Sequence, residues 1–259
     1  MVKIKLPKIG LGTMMGRSDK AKAAFIEGLH MGYRFIDTAQ MYFNEKTVGA
    51  AVRESGIPRE EFIVATKLWV TNFSPRRVRL TTERSLKRLD FGYIDMLYLH
   101  FPARFSKISD TFAAISKLVD EGKVKHIAIS NFSIEQTDKA LELCEKPIVA
   151  NQVEMHPWWQ QKELLAHLNK VDVHLVSYFP LLHGRFNDVP ELVEVAKKHQ
   201  VSAAQVSLAW IISKGAIPIP KSANVAHLQA NYDSLKLKLT KEDIALIDAV
   251  KVEKHSRPF

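Results

Sequence analysis

Four side chains that can exchange protons stand near the ends of successive apolar runs of this 259-residue chain. Asp37 closes GYRFID, with Tyr42 five residues beyond it; Lys67 lies near the end of FIVATKL, and His100 near the end of YIDMLYLHF. A carboxylate, a phenol, an ammonium and an imidazole gathered at one point make an acid–base centre. A phenol has a reference pKa of about 10. An ammonium about 4 Å from it interacts by on the order of 4 kcal/mol at an effective dielectric of about 20, before desolvation and screening. Lys67 is therefore expected to pull Tyr42 toward neutral pH, with Asp37 keeping the lysine charged and in place. Such a phenol can give a proton to an oxygen that is becoming an alkoxide, which calls for a hydride donor. No side chain supplies hydride, so a nicotinamide cofactor is implied. Each residue alone also has a plainer reading, Asp37 as a turn cap and Tyr42 as packing.

Bringing these residues together requires their strands to end on one face. Strand-like runs recur at 8–13, 34–39, 62–68, 93–101, 124–131, 148–155, 173–180 and 216–221. Most are continuous apolar runs, as parallel strands covered on both faces require. Helical patterns lie between them. Ser74-Pro75 starts one, and Val78, Thr82, Leu86 and Leu89 share its buried face. Ser133 with Gln136 and Ser202 with Gln205 read as capping boxes, and Thr240 with Asp243 as a capping pair. Gly56, Gly122 and Gly215 fall where helices end before the next strand. Alternating strands and helices of this number predict a (β/α)8 barrel over 1–259 as a single domain, with short loops and one or two extra helices. The competing open sheet lacks its GxGxxG signature, since GLGTMMG has the wrong final spacing. In a barrel the C-terminal strand ends form the reactive face. Ser130, Asn131, Asn151, Gln152, Glu154, Tyr178, Lys221 and Ser222 then join the four residues above.

Bulk properties narrow the class. Net charge is +9, from 37 basic and 28 acidic residues, but the basic residues are scattered among acids or along helix faces. No nucleic-acid partner is expected, although a basic surface can draw in a phosphate-bearing ligand. The N-terminus lacks an apolar signal core, and no uncharged run approaches the roughly 18 residues of a membrane span. With one cysteine, Cys144 in LELCE, no intrachain disulfide can form, and a reducing, cytoplasmic setting is expected. Cys144 reads as part of a buried helix face. His156 beside Glu154 gives too few ligands for a metal site, so none is expected. No GxSxG elbow or GxxxxGK[ST] loop is present.

The stretches GLGT (10–13), GYRFIDTAQMYFNEKTVGAAV (32–52), ATKLW (65–69), YLHFP (98–102), ISNF (129–132), ANQVEMHP (150–157), SYFPL (177–181) and IPKS (219–222) resemble the aldo-keto reductase superfamily over nearly the whole chain. The short loops and SYFPLLHGRF are most similar to compact prokaryotic reductases related to diketogluconate reductase. The resemblance implies an NAD(P)H-dependent carbonyl reductase acting on an aldehyde or ketone. Tyr42 is then the general acid, tuned by Lys67 and Asp37, and His100 orients the carbonyl. Ser130, Asn131 and Gln152 hold the nicotinamide carboxamide, Tyr178 stacks on its ring, and Lys221 and Ser222 hold the adenosine phosphate. Thr13, Met14, Asp37, Leu181, His227 and Asn231 complete the implied cofactor contacts. Met14, Met41, Trp69, His100 and Phe101 are the implied substrate contacts, with His183 or Arg185 as further candidates. A monomer is expected.

Several positions depart from the family pattern. His227 stands where an Arg is frequent, and Ala230 where a Glu often meets adenine. A neutral imidazole opposes a ribose 2′-phosphate less strongly than a bidentate Arg does. NADPH remains the expected cofactor, with its preference weakened and NADH use open. Phe43 replaces a Gly, Phe179 a Ser and Phe101 a Trp of the pattern. Two other readings compete: a cofactor-binding regulatory module of the same fold with little or no turnover, and an unrelated barrel isomerase or hydrolase.

Overall fold

A computed structural model describes residues 4–103 and 108–251. The apolar runs form eight strands: β1 Leu11–Gly12, β2 Phe35–Asp37, β3 Ile63–Leu68, β4 Ile94–Leu99, β5 Val124–Ser130, β6 Ile148–Glu154, β7 His174–Tyr178 and β8 Ile217–Pro218. They pair in chain order, each parallel to the next. The sheet curls until its ends meet: Gly10 N donates to Pro218 O, Gly12 N donates to Pro220 O, and Gly12 bridges to Lys221. This seam requires glycine. A Cβ on Gly12 would lie 2.6 Å from Ile219 O, a backbone atom with little room to yield. The result is the expected (β/α)8 barrel.

Around the strands lie α1 Asp19–Met31, α2 Glu45–Glu54, α3 Pro75–Leu89, α4 Ile108–Asp120, α5 Ile134–Leu143, α6 Lys162–Lys170, α7 Pro190–His199, α8 Ala203–Ser213, α9 Val225–Asp233 and α10 Lys241–Asp248. The three expected capping pairs at Ser133, Ser202 and Thr240 all form reciprocal side-chain bonds. Ser74 precedes Pro75 at the start of α3 as expected, but its side chain makes no cap bond. The extra helices are α10, which the Thr240 pair announces, and a second helix between β7 and β8. Cys144 is buried, but it is the C-cap of α5 in extended conformation rather than part of the helix. Burial pushes its thiol pKa up, partly offset by neighbouring hydrogen bonds. Among the described residues, no helix is long and apolar enough to cross a membrane.

The barrel interior explains how the sheet presents its chemistry. Phe35, Ala65, Tyr98, Ala128, Ala150, Val176 and Ile219 pack together inside it. Side chains alternate faces along a strand. The residue two positions further along therefore also points inward, one layer nearer the C-terminal mouth. Those residues are Asp37, Lys67, His100, Ser130, Gln152, Tyr178 and Lys221. An apolar layer thus fills the barrel, and a polar layer rests on it.

Candidate active site

Lys67 is the most deeply buried member of that polar layer, with no exposed surface. Its ammonium donates to Asp37 Oδ1 in a short charged contact and to Thr38 O at 2.9 Å. The other carboxylate oxygen, Asp37 Oδ2, accepts from Gln152 Nε2 at 2.7 Å, a bond that crosses the barrel from β6 to β2. Lys67 Nζ lies 5.0 Å from the centre of the Tyr42 ring and 5.7 Å from that of Tyr98. Burial alone would lower the lysine pKa, but the charges of Asp37 and Tyr42 outweigh it and the net shift is upward. The ammonium stays charged.

Tyr42 behaves differently from the expectation of a phenol drawn toward neutral pH. Burial raises its pKa more than the Lys67 charge lowers it, and Asp37 adds to the rise. The Lys67 ammonium acts in the expected direction, but the desolvation cost of the folded barrel mouth exceeds it. Tyr42 therefore holds its proton at neutral pH, the state a proton donor needs. His100 faces it, with ring centres 6.1 Å apart and nearly perpendicular planes. Burial, helped by the Lys67 charge, drops the His100 pKa to about 3, so its imidazole is neutral. His100 also stacks on Phe101 and meets the edge of Trp69, with centres 5.1 and 5.3 Å apart.

These groups open into a cavity of about 330 Å³. Of the residues named from sequence, Thr13, Met14, Asp37, Met41, Tyr42, Trp69, His100, Phe101, Ser130, Asn131, Gln152, Tyr178, Leu181 and Lys221 line it, as does His183. Along one wall, Tyr178 Oη donates to Asn131 Oδ1 at 2.8 Å, and Asn131 Nδ2 donates to His100 O and Ser130 Oγ. Ser130 Oγ in turn donates to Gln152 O at 2.8 Å. Asn131 takes a left-handed backbone conformation, φ 65°, which turns its amide toward this network.

Other predicted residues lie elsewhere. Ser222, His227 and Asn231 are not among the cavity's lining residues; they follow β8 along the start and body of α9. Asn231 is buried. At the N-terminus of α9, Asn224 Oδ1 accepts from Ala226 N and His227 N. Arg185 turns away from the cavity, with its Nε on Asp188 and its guanidinium over Trp158. Asn151 is used structurally, donating to Phe132 O and Thr137 Oγ1.

Sequence reasoning missed part of the aromatic wall. Phe186 lines the cavity, and so does Phe179, noted only as a departure from a pattern. Both belong to the loop after β7, where Phe179, Leu182 and His183 all have positive φ. No strand or helix period signals such a loop. Phe179 packs on His183 at 4.0 Å between centres. His183 Nε2 lies 3.1 Å and His156 Nε2 3.0 Å from Glu154 Oε1. Burial raises the Glu154 pKa, but these two histidines lower it further than that, so the carboxylate is ionised. Among the described residues, no group of three or more His, Cys, Asp or Glu side chains is arranged to hold a metal ion.

Comparison with known proteins agrees with the barrel fold. The model of the aldo/keto reductase family matches residues 8–252. A 9,11-endoperoxide prostaglandin H2 reductase of Trypanosoma cruzi is 36% identical over 97% of this chain and 90% of its own length. The glyoxal reductase of Bacillus subtilis is 34% identical over 98% of this chain and 92% of its own. The crystal structure of a putative 2,5-diketo-D-gluconic acid reductase B superposes with a TM-score of 0.94 at 32% identity, covering 98% of this chain and 91% of that one. The chain belongs to the aldo/keto reductase family, oxidoreductases that act on carbonyl groups and generally use NAD(P)H.

Proposed function

We propose that the protein reduces small aldehydes or ketones with NAD(P)H, and that Tyr42 is the proton donor. One observation carries this reading: a buried Asp37–Lys67 ion pair lies beneath Tyr42, with Lys67 Nζ 5.0 Å from the centre of its ring, and His100 faces that ring. A buried ion pair is costly to maintain and weak as a stabilising device. Its place under a phenol that faces His100 at the cavity fits tuning of that phenol. Lys67 stabilises the phenolate that Tyr42 becomes after giving up its proton. His100 has no charge to lose and donates a hydrogen bond to the carbonyl oxygen, setting that oxygen within reach of Tyr42 Oη.

The donor set suits a nicotinamide cofactor. Ser130, Asn131 and Gln152 supply neutral amide and hydroxyl groups on one wall, matched to a carboxamide. Tyr178 brings a flat ring to the same cavity, and Lys221 a cation at its β8 edge. Thr13, Met14 and Leu181 complete the cavity side of this set, while Ser222, His227 and Asn231 are assigned to the adenosine end beyond it. A bound nicotinamide supplies the hydride. The wall of Met14, Met41, Trp69, Phe101, Phe179 and Phe186 excludes water and favours apolar or aromatic carbonyl compounds. Small dicarbonyls of the kind named for the relatives above are a natural first panel.

The test is an absorbance assay at the NAD(P)H band with a panel of aldehydes and ketones and both cofactors, run on the parent and on Tyr42→Phe. Turnover by the parent and its near loss in the variant, with cofactor affinity kept, support the assignment. Near-normal turnover by Tyr42→Phe overturns it. Cofactor binding by the parent without turnover on any compound favours a regulatory module instead. His227→Arg is expected to raise the NADPH-to-NADH ratio of kcat/KM; an unchanged ratio removes His227 from the 2′-phosphate site.

A further inference from the structure

Tyr42 is the last residue of a single three-residue turn, Gln40–Tyr42. Inside the turn only two backbone bonds hold it, Tyr42 N to Ala39 O and Phe43 N to Gln40 O. Its orientation is therefore set from outside. At its start, Gln40 Oε1 accepts from Asn72 Nδ2 at 3.0 Å, and Gln40 Nε2 donates to Ser85 Oγ at 3.2 Å. At its end, Arg17 Nε donates to Tyr42 O at 3.0 Å. The same guanidinium lies over the Phe43 ring, 5.2 Å from its centre.

Phe43 would be unfavourable without that neighbour. It caps the turn in the left-handed region, φ 54° and ψ 29°, and is 72% exposed. A bulky side chain resists such a conformation, and a benzyl group in water gains nothing. Arg17 itself stands on a fixed base. Asn44 Nδ2 donates to Thr13 O at 2.6 Å, and Gly16 N donates to the same oxygen at 3.0 Å. A Cβ on Gly16 would lie 2.5 Å from Phe25 Cζ, so the backbone beside Arg17 sits directly on the core. Ser18, the next residue, caps α1.

We propose that Arg17 is a positioning residue for Tyr42: by holding the Tyr42 carbonyl and covering Phe43, it fixes the end of the turn and so sets the reach of the phenol. The inference rests on Tyr42 being the proton donor. Arg17 is not among the residues that line the cavity; it acts through the backbone of the residue assigned the chemistry. A displacement of the reacting group far smaller than its own size is enough to slow a proton transfer.

The experiment compares Arg17→Ala, Arg17→Lys and Tyr42→Phe with the parent, using one reducible aldehyde, cofactor titration by fluorescence, thermal unfolding, and the isotope effect with 4-deuterated cofactor. Arg17→Ala is expected to lower kcat about tenfold, the rate equivalent of one charge-assisted hydrogen bond. Cofactor affinity stays at the parent value and the isotope effect rises, because the chemical step has become slower. Arg17→Lys, which keeps a donor and a charge, recovers part of the loss. If Tyr42→Phe is inactive while Arg17→Ala turns over at the parent kcat, the role of Arg17 is refuted and that of Tyr42 stands. If Arg17→Ala loses cofactor affinity and thermal stability along with kcat, Arg17 is a general structural residue and the proposal falls. If Tyr42→Phe itself turns over normally, the proton-donor reading fails and the proposal goes with it.

Discussion

Lys67 is an ammonium with no exposed surface, and the Asp37 carboxylate beside it is almost as deeply buried. Removing one partner leaves the other charged and unpaired in a dry site, at a cost of about 3–5 kcal/mol. Lys67→Met is expected to lose stability on that scale, measured by denaturant unfolding. The Asp37→Asn, Lys67→Met double variant should recover much of the stability and none of the activity, which separates folding from tuning. His100 gives a pH prediction. Its pKa falls from an ordinary 6.5 to about 3 in the folded protein, so the unfolded chain binds the extra proton first. The stability tied to its neutral form is complete above pH 6.5 and is lost as pH falls toward 3. A His100→Gln variant should show a shallower fall of unfolding free energy across that window. The types of these residues and their strand-end positions are readable in the sequence. The net direction of the Tyr42 shift is not, because it depends on how much water the folded barrel mouth excludes.

Among the elements, the β8–β1 seam and the loops carry the strain. Gly12 lies where two strands approach so closely that a methyl group would meet Ile219 O at 2.6 Å. Gly12→Ala should cost about 1–3 kcal/mol, the usual price of overpacking. It should also weaken cofactor binding, since Thr13 and Lys221 flank the seam; unfolding and cofactor titration on the same variant check both. The caps behave more simply: Ser202→Ala removes a reciprocal bond at the start of α8 and should cost about 1 kcal/mol by thermal or denaturant unfolding. The caps at Ser133, Ser202 and Thr240 were legible because a capping box is a local pattern with one geometry. The loop after β7 was not, because Phe179, Leu182 and His183 adopt left-handed backbone without glycine. Contacts distant in sequence hold them there, among them the His183–Glu154 pair.

For the molecule as a whole, the excess of +9 formal charge bears on cofactor capture. A phosphate-bearing cofactor is expected to bind less tightly as salt rises, and NADPH should lose more affinity than NADH over the same range, as titrations at several ionic strengths will show. Sequence alone determined the architecture and the strand ends at which the residues proposed to react stand. Eight apolar runs alternating with capped helices admit few folds, and a period of two along each strand places Asp37, Lys67, His100, Ser130, Gln152 and Tyr178 on one face. Tertiary structure decided what each of them meets. It joined Gln152 to Asp37 across 115 positions of chain, turned Arg185 out of the cavity, and brought Phe186 into it. It also placed Arg17 against the Tyr42 carbonyl and the Phe43 ring. The physical reason is the same in each case. Periodicity and capping are properties of neighbouring residues, whereas burial, pairing and loop direction depend on which distant groups the closed barrel brings within a few ångströms.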